Sequence, residues 1–374
     1  MDDDLATLFL CGDVMTGRGV DQIMPHPGNP QLREAYITEA TGYVALAEAV
    51  NGPIPRPVDP AWPWGDALAL LDGLAPDVRL INLETSVTVS GEFAPGKAVH
   101  YRMSPANIAC LTVARPDVCA LANNHVLDFG QNGLAETLAT LAGAGLRPAG
   151  AGRDAAGAQR AVAVGVAGGG RVTVTSCGVA SSGIPRGWAA GAWRPGVHLL
   201  PSLSRQAADE AASRAQAVRR PGDLAVISLH WGPNWGYEVR RDEVAFAHRL
   251  IDDGVDLVHG HSSHHPRPIE VYRGKLILYG CGDFIDDYEG ITGYEEYRDD
   301  LRLAYFASLR RGTGELAELR MVPMQARKMR LWPAGARDRR WLAATIGRIS
   351  RPFGTRVELA PDGALVLRPA AGRR

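Results

Sequence analysis

The sequence predicts an α/β fold built on largely parallel sheet, on three observations. Short runs rich in Val, Ile and Leu alternate with alanine- and leucine-rich stretches of helical spacing from residue 5 to about residue 325, the rhythm of βα units. The runs are apolar on both faces, as strands covered on both sides must be. Polar residues gather where the runs end, the edge at which open α/β sheets place ligands.

The strand-like runs fall at residues 6–11, 78–82, 118–122, 172–179, 224–230, 257–259 and 275–281. Helical spacing marks 67–74, 133–143, 205–218 and 243–253, with Gly143 or Gly145 placed to close the second and Gly254 the last. Residues 24–64 are studded with prolines, in P-H-P-G-N-P and G-P-I-P-R-P-V-D-P-A-W-P-W. That composition predicts an ordered loop serving as the wall or lid of a site. From Met321 the chain turns basic and tryptophan-containing, with a helix expected over 338–349 and a hairpin over 355–368 around P-D-G. The expected organisation is a main domain over 1–325 and a C-terminal helix-plus-hairpin subdomain over 326–374.

Composition narrows the function. A chain of 374 residues with 46% hydrophobic and 22% charged residues can bury a full core without cross-links. Forty basic against 41 acidic side chains argue against binding nucleic acid or a membrane surface by bulk charge. The five cysteines are scattered with no C-x-x-C pair, which fits a reducing cytoplasm. The acidic start M-D-D-D does not read as an export signal, and no run of 18 apolar residues offers a membrane anchor. The expected location is cytoplasmic, with the mature chain beginning near Met1.

The strand ends carry Gly12-Asp13, Asn82-Leu83-Glu84, Asn123-Asn124-His125, His230-Trp231-Gly232, Gly260 to His265 and Gly282-Asp283. Four of the ten histidines, His259, His261, His264 and His265, lie within seven residues. A strand-end Asp is commonly a turn or cap residue and a lone buried His a hydrogen-bonded core residue. Carboxylate, amide oxygen and imidazole converging from five or six loops is nevertheless the donor set of a divalent metal site.

The segments L-F-L-C-G-D-V-M, I-N-L-E-T, A-N-N-H-V-L-D-F-G, S-L-H-W-G and H-G-H-S-S-H-H-P-R-P-I-E-V-Y-R-G-K-L-I-L-Y-G-C-G-D-F together resemble the CapA family, named for capsular poly-γ-glutamate synthesis, within the calcineurin-like metallophosphatase superfamily. The resemblance spans roughly residues 5–325. It implies a four-layer αββα sandwich with a metal-dependent site at the strand C-terminal ends. It also implies Asp13 and Glu84 as carboxylate ligands, Asn124 as an amide-oxygen ligand, His230, His261 and His264 as imidazole ligands, and His125 as a general acid. Asp128 stands three residues on, the spacing that orients His125 if a helix begins there. The D-x-H histidine of the phosphatases is Met15 here, and Glu84 stands where they carry a bridging aspartate. One divalent ion is therefore expected rather than two, with Ca, Mn, Fe or Zn all admissible.

Two acid/base pairs are expected around that ion: His125 with Asp128, and His264 or His265 with Asp283. Two opposed proton carriers suit Cα epimerisation of a residue in a peptide substrate, and soluble CapA-like proteins include lasso-peptide epimerases. The same parts suit metal-dependent hydrolysis of a peptide or phosphoester, and the family also admits a capsule-assembly role without turnover. A two-thiol mechanism through Cys11 and Cys281 is a weak alternative, since cysteines on apolar strands are mostly core. Trp62, Trp64, Trp188, Trp193, Trp231 and Trp235 are available to wall a peptide groove, and Arg186, Arg194, Arg240 or Arg267 to meet a carboxylate.

Overall fold

The computed structural model describes residues 4–369, so residues 1–3 and 370–374 of the two expected domains lie outside it. In chain order the main elements are β1 (Leu5–Val14), α1 (Thr41–Asn51), α2 (Ala67–Leu74), β2 (Val78–Leu83), β3 (Val118–Ala120), α3 (Gly130–Gly143), β4 (Arg171–Val179), α4 (Arg205–Ala217), β5 (Leu224–His230), α5 (Arg241–Asp252), β6 (Leu257–His261), β7 (Lys275–Leu278), β8 (Asp283–Ile285), β9 (Leu301–Arg310), β10 (Leu316–Ala326), α6 (Ala336–Ser350), β11 (Thr355–Leu359) and β12 (Leu365–Pro369). They form a ten-stranded sheet in the order β11-β12-β10-β9-β1-β2-β3, with β8 beside β1, and a seven-stranded sheet through β4-β5-β6-β7.

The alternation of side chains along β1 builds the layers. Ala6, Leu8 and Leu10 enter a core shared with Val174, Val226, Leu257 and Leu276 of the second sheet. Phe9 and Cys11, pointing the other way, meet Tyr43, Val44 and Ala47 of α1, Leu71 of α2 and Leu134 of α3. On the far side, Ile227 and Leu229 pack against Ala208 and Ala212 of α4 and Phe246 and Leu250 of α5. Two sheets therefore face each other with helices on both outer faces, the four-layer sandwich expected. Each fully buried Leu, Val or Phe here contributes about 1.5–3 kcal/mol.

Two regions depart from expectation. Within the proline-rich stretch, Thr41–Asn51 is a helix. The prolines flank it, and Tyr43, Val44 and Ala47 form an apolar stripe into the core. The stretch is therefore loop, helix and loop. β9 and β10, which the sequence reading did not mark, pair antiparallel along most of their length. Met321, where the sequence changes character, lies inside β10. The C-terminal segment has a helix and hairpin built onto the main sheet: Arg320 and Met321 pair with Val366 and Leu365. Leu342, Ile346 and Ile349 of α6 enter the intersheet core.

Register sets the site. Along β1, Asp13 is level with Asn82 of β2 and with Asp283 of β8. In the second sheet His230 is level with His261. β1 and the start of β8 approach so closely that a Cβ at Gly12 would lie 1.6 Å from the Gly282 carbonyl oxygen, so only glycine fits there. The turn after β6 is anchored by Arg267, whose Nη2 lies 3.0 Å from Glu243 Oε2, with both side chains buried. Removing the cation strands a buried carboxylate, so Arg267→Ala is expected to lower stability by about 3–5 kcal/mol in urea unfolding; a loss below about 1 kcal/mol would show that the pair does not hold this turn.

Candidate metal centre

Three strand ends deliver carboxylates to one buried point. The Asn82 amide nitrogen bridges two of them, donating to Asp13 Oδ1 at 2.7 Å and to Glu84 Oε2 at 2.8 Å. Asn82 is itself held by the Asn123 side chain, which donates to Asn82 Oδ1 at 3.1 Å. The outer oxygens, Asp13 Oδ2 and Asp283 Oδ2, are buried without a hydrogen-bond partner. Burial, followed by the repulsion of Asp283, pushes the Asp13 carboxyl up to about 7. Burial together with Asp13 and Asp283 raises Glu84 likewise. The protein's own charges leave this cluster short of positive charge.

The second sheet faces it with imidazoles. His230 Nδ1 lies 2.8 Å from His261 Nδ1 and 3.8 Å from Glu84 Oε2, and His230 Nε2 lies 3.1 Å from Asn124 Oδ1. Ser228 Oγ holds His261 Nε2 at 2.9 Å and His259 Nδ1 at 3.1 Å, while His259 Nε2 donates to the Cys11 carbonyl. Burial drives the pKa of His230 and of His261 well down, keeping both in the neutral, ligating form.

Two proton-carrying pairs flank the cluster. His125 Nδ1 is 2.6 Å from Asp128 Oδ2, and that carboxylate oxygen also accepts from the Tyr101 backbone N–H at 2.7 Å. The pair closes through a turn that precedes α3 rather than through a helix. Lys97 reaches in from the preceding loop to donate to Asp128 Oδ1 and to the Asn124 carbonyl. The short contact to Asp128 requires the proton on His125 Nδ1, leaving Nε2 as an unprotonated base 4.0 Å from Glu84 Oε1. Burial, reinforced by Lys97, lowers His125 to about 4 against the pull of Asp128. The opposite bias holds at His264: burial works against its protonation, yet Asp283, with Oδ1 at 2.9 Å from Nδ1, raises its pKa.

The structure brings Asp13, Glu84, Asn124, His125, Asp128, His230, His261, His264 and Asp283 to this edge, and it does not bring His265. Both His265 nitrogens are engaged, Nδ1 toward the Pro266 carbonyl at 3.1 Å and Nε2 accepting from the Gly236 backbone N–H at 3.0 Å. Its ring stacks on Trp235 and Tyr297. Asp283 therefore pairs with His264, because the bend that follows β6 turns the two neighbouring imidazoles in different directions. Cys11 and Cys281 are buried free thiols whose pKa burial pushes well up, opposite to the thiolate that a two-thiol mechanism needs. Among the tryptophans, Trp64 and Trp231 are core, whereas Trp235 lines a cleft of about 200 Å³ with Arg18, Tyr43, His264, Tyr288 and Tyr294. Arg267 is consumed by Glu243 and Arg240 by Asp242; Arg18 is the arginine of that cleft. Lys97 and Arg18 had no local signal, because each reaches the site from a loop without periodicity. Asn82 stood at a strand end, and its level with Asp13 was the missing fact.

Two groups of three have ligand atoms within 4.8 Å of one another: Asp13, His230 and His261, and Asp13, His264 and Asp283. Asp13 is common to both. Orphaned buried carboxylate oxygens beside neutral imidazoles fit a divalent cation, the donor mixture that suits manganese, iron or zinc. Met15 is buried with its sulfur 4.0 Å from the Tyr288 hydroxyl and contributes no hard donor.

Two facing sheets with helices outside, and carboxylates and imidazoles at the strand ends, define a calcineurin-like metallophosphatase fold. Residues 7–288 match the family described as bacterial capsule synthesis protein PGA_cap, and this chain belongs to that family. It is 58% identical over 369 residues to a probable polyglutamine synthesis accessory protein of Mycobacterium tuberculosis (strain ATCC 25618 / H37Rv), covering 98% of this chain and 97% of that protein. It is 27% identical over 320 residues to the PGA biosynthesis protein CapA of Bacillus subtilis (strain 168), covering 83% and 70%. The capsule biosynthesis protein CapA of Bacillus anthracis is 24% identical over 309 residues, with 81% and 64% covered. Among the described residues no helix is long and apolar enough to cross a membrane.

Two measurements follow from this geometry. Protein equilibrated with Mn²⁺ and desalted is expected to retain the metal by elemental analysis, and Asp13→Ala to weaken binding ~100-fold or more; unchanged retention in the variant would remove Asp13 from the site. Burial holds His265 at about 4 in the folded chain, below its unfolded value, so stability falls as pH drops from about 6.5 toward 4. His265→Gln is expected to reduce that loss by about 2 kcal/mol between pH 7 and pH 5, and identical pH profiles would show that His265 gains its proton without unfolding.

Proposed function

We propose that this chain is an accessory protein of poly(amino acid) synthesis that trims a glutamate- or glutamine-based polymer by metal-dependent amide hydrolysis. The observation that carries the reading is the meeting of Asp13, His230 and His261 beside two histidines of opposite protonation bias. The relatives, a probable polyglutamine synthesis accessory protein and a PGA biosynthesis protein, suggest the substrate class.

Asp13, His230 and His261 would hold the cation, with Glu84 and Asn124 alongside. A divalent cation there would polarise the amide carbonyl and favour ionisation of an attacking water. His125, neutral and with its Nδ1 proton fixed on Asp128, offers Nε2 to take a proton from that water. His264, biased toward the protonated form by Asp283, is placed to return a proton to the departing amine. Lys97 fixes Asp128 and so the orientation of the His125 ring.

The relatives favour this polymer reading over Cα epimerisation of a lasso-type peptide, which needs the same two proton carriers but finds no counterpart among their names. Incubation of Mn²⁺-loaded protein with γ-linked and α-linked glutamate and glutamine oligomers in deuterated water separates the readings. Shorter oligomers carrying a new amine terminus are expected, with the rate reduced ~10²–10⁴-fold in His125→Ala. Deuterium at Cα without mass loss would replace hydrolysis by epimerisation, and oligomers bound but unchanged would leave a role in assembly without turnover.

A further inference from the structure

Arg18 sits in an arrangement that its neighbours over-determine. Its backbone has φ 47° and ψ −122°, outside the regions a non-glycine residue prefers. Asp287 fixes that geometry: its Oδ2 accepts from Arg18 Nε at 3.1 Å and from the Gly19 backbone N–H at 2.8 Å. The guanidinium is sandwiched between Tyr43 and Tyr101, its carbon 3.7 and 4.2 Å from their ring centres. One edge of the fork is thus spent on Asp287, and the planar faces are covered by aromatic rings. The remaining edge, Nη1, points to Glu34 Oε1 at 3.0 Å.

Glu34 differs in kind from the other partners. It comes from the 24–40 segment, where proline punctuates the chain and Tyr36 is 99% exposed, whereas Asp287 is fully buried behind the site. Its other oxygen, Oε2, accepts from the Tyr43 hydroxyl. Arg18, Tyr43 and His264 line the same cleft of about 200 Å³. Glu34 is outside the lining of that cleft; its side chain, 10% exposed, covers the Nη1 edge of the arginine that lines it.

We propose that Arg18 Nη1 and the Tyr43 hydroxyl form a carboxylate-binding subsite adjoining this cleft, and that Glu34 fills it as an internal stand-in for a substrate carboxylate. A substrate glutamate would displace Glu34, exchanging one charge-assisted pair for another of equal chemistry. The loop would be released as the substrate enters, so Glu34 sets a threshold against neutral ligands. This rests on the polymer reading above for the identity of the ligand, though the subsite requires only a carboxylate.

Isothermal titration of the full chain with a γ-linked glutamate tetramer tests it. Glu34→Ala is expected to bind the tetramer roughly tenfold more tightly than wild type, the order of one charge-assisted hydrogen bond regained. Arg18→Lys in the Glu34→Ala background keeps a charge beside Asp287 and is expected to lose that gain, because lysine cannot present the fork. A C-terminally amidated glutamine tetramer, which has no carboxylate, is expected to show no gain from Glu34→Ala. Tetramer binding no tighter in Glu34→Ala, or an equal gain for the glutamine tetramer, would overturn the subsite. Either result leaves hydrolysis untouched, since turnover is read separately; conversely, a tenfold gain in a protein that cleaves nothing would keep the subsite and defeat the hydrolase.

Discussion

Burial of like charge is the constraint around which this molecule is arranged. Asp13, Glu84 and Asp283 lie together at the meeting point of two sheets, removed from water, with His264, Lys97 and Arg302 as the opposing charges that reach one or another of them. Carboxylates in that position either take up protons or recruit a cation. The upward displacement of the Asp13 and Glu84 pKa values by burial follows the first tendency, and the neutral imidazoles of His230 and His261, facing the same point, suit the second.

The fold supplies this cluster through register rather than through any single motif. Parallel pairing sets Asp13 level with Asn82 and Asp283, and His230 level with His261. One of the links that cross between the sheets near the site comes from the backbone of β1: His259 donates to the Cys11 carbonyl at 2.8 Å, two residues before Asp13. Gly12 permits the close approach of the β1 and β8 backbones. The Asn123–Asn82 pair ties a third strand end to the first two. Supporting residues of this kind keep ligands within tenths of an ångström of a working geometry.

Much of this was legible in the sequence, and the reason is periodicity. The strands at 224–230 and 171–179, the helices at 67–74 and 205–217 and the C-terminal hairpin follow patterns that depend on near neighbours alone. The gathering of polar residues at strand ends marked the edge where the site forms. What stayed hidden depends on tertiary placement. The helix at Thr41–Asn51 was masked by flanking prolines that bound it without interrupting it. The choice between His264 and His265 needed the direction of one turn. Lys97 and Arg18 act from loops, where sequence spacing carries no information about distance. Asn82 was visible as a strand-end residue, but its function as the bridge between two carboxylates is a consequence of register.

Convergence of Asp13, His230 and His261 on one ion is the proposal on which the chemistry rests. Anomalous diffraction from crystals soaked in Mn²⁺ tests it most directly. A peak is expected within about 2.0–2.3 Å of Asp13 Oδ2 and of one nitrogen from each of the two imidazoles. A peak only at surface carboxylates, with the His230–His261 contact and the orphaned Asp13 oxygen unchanged, would contradict it.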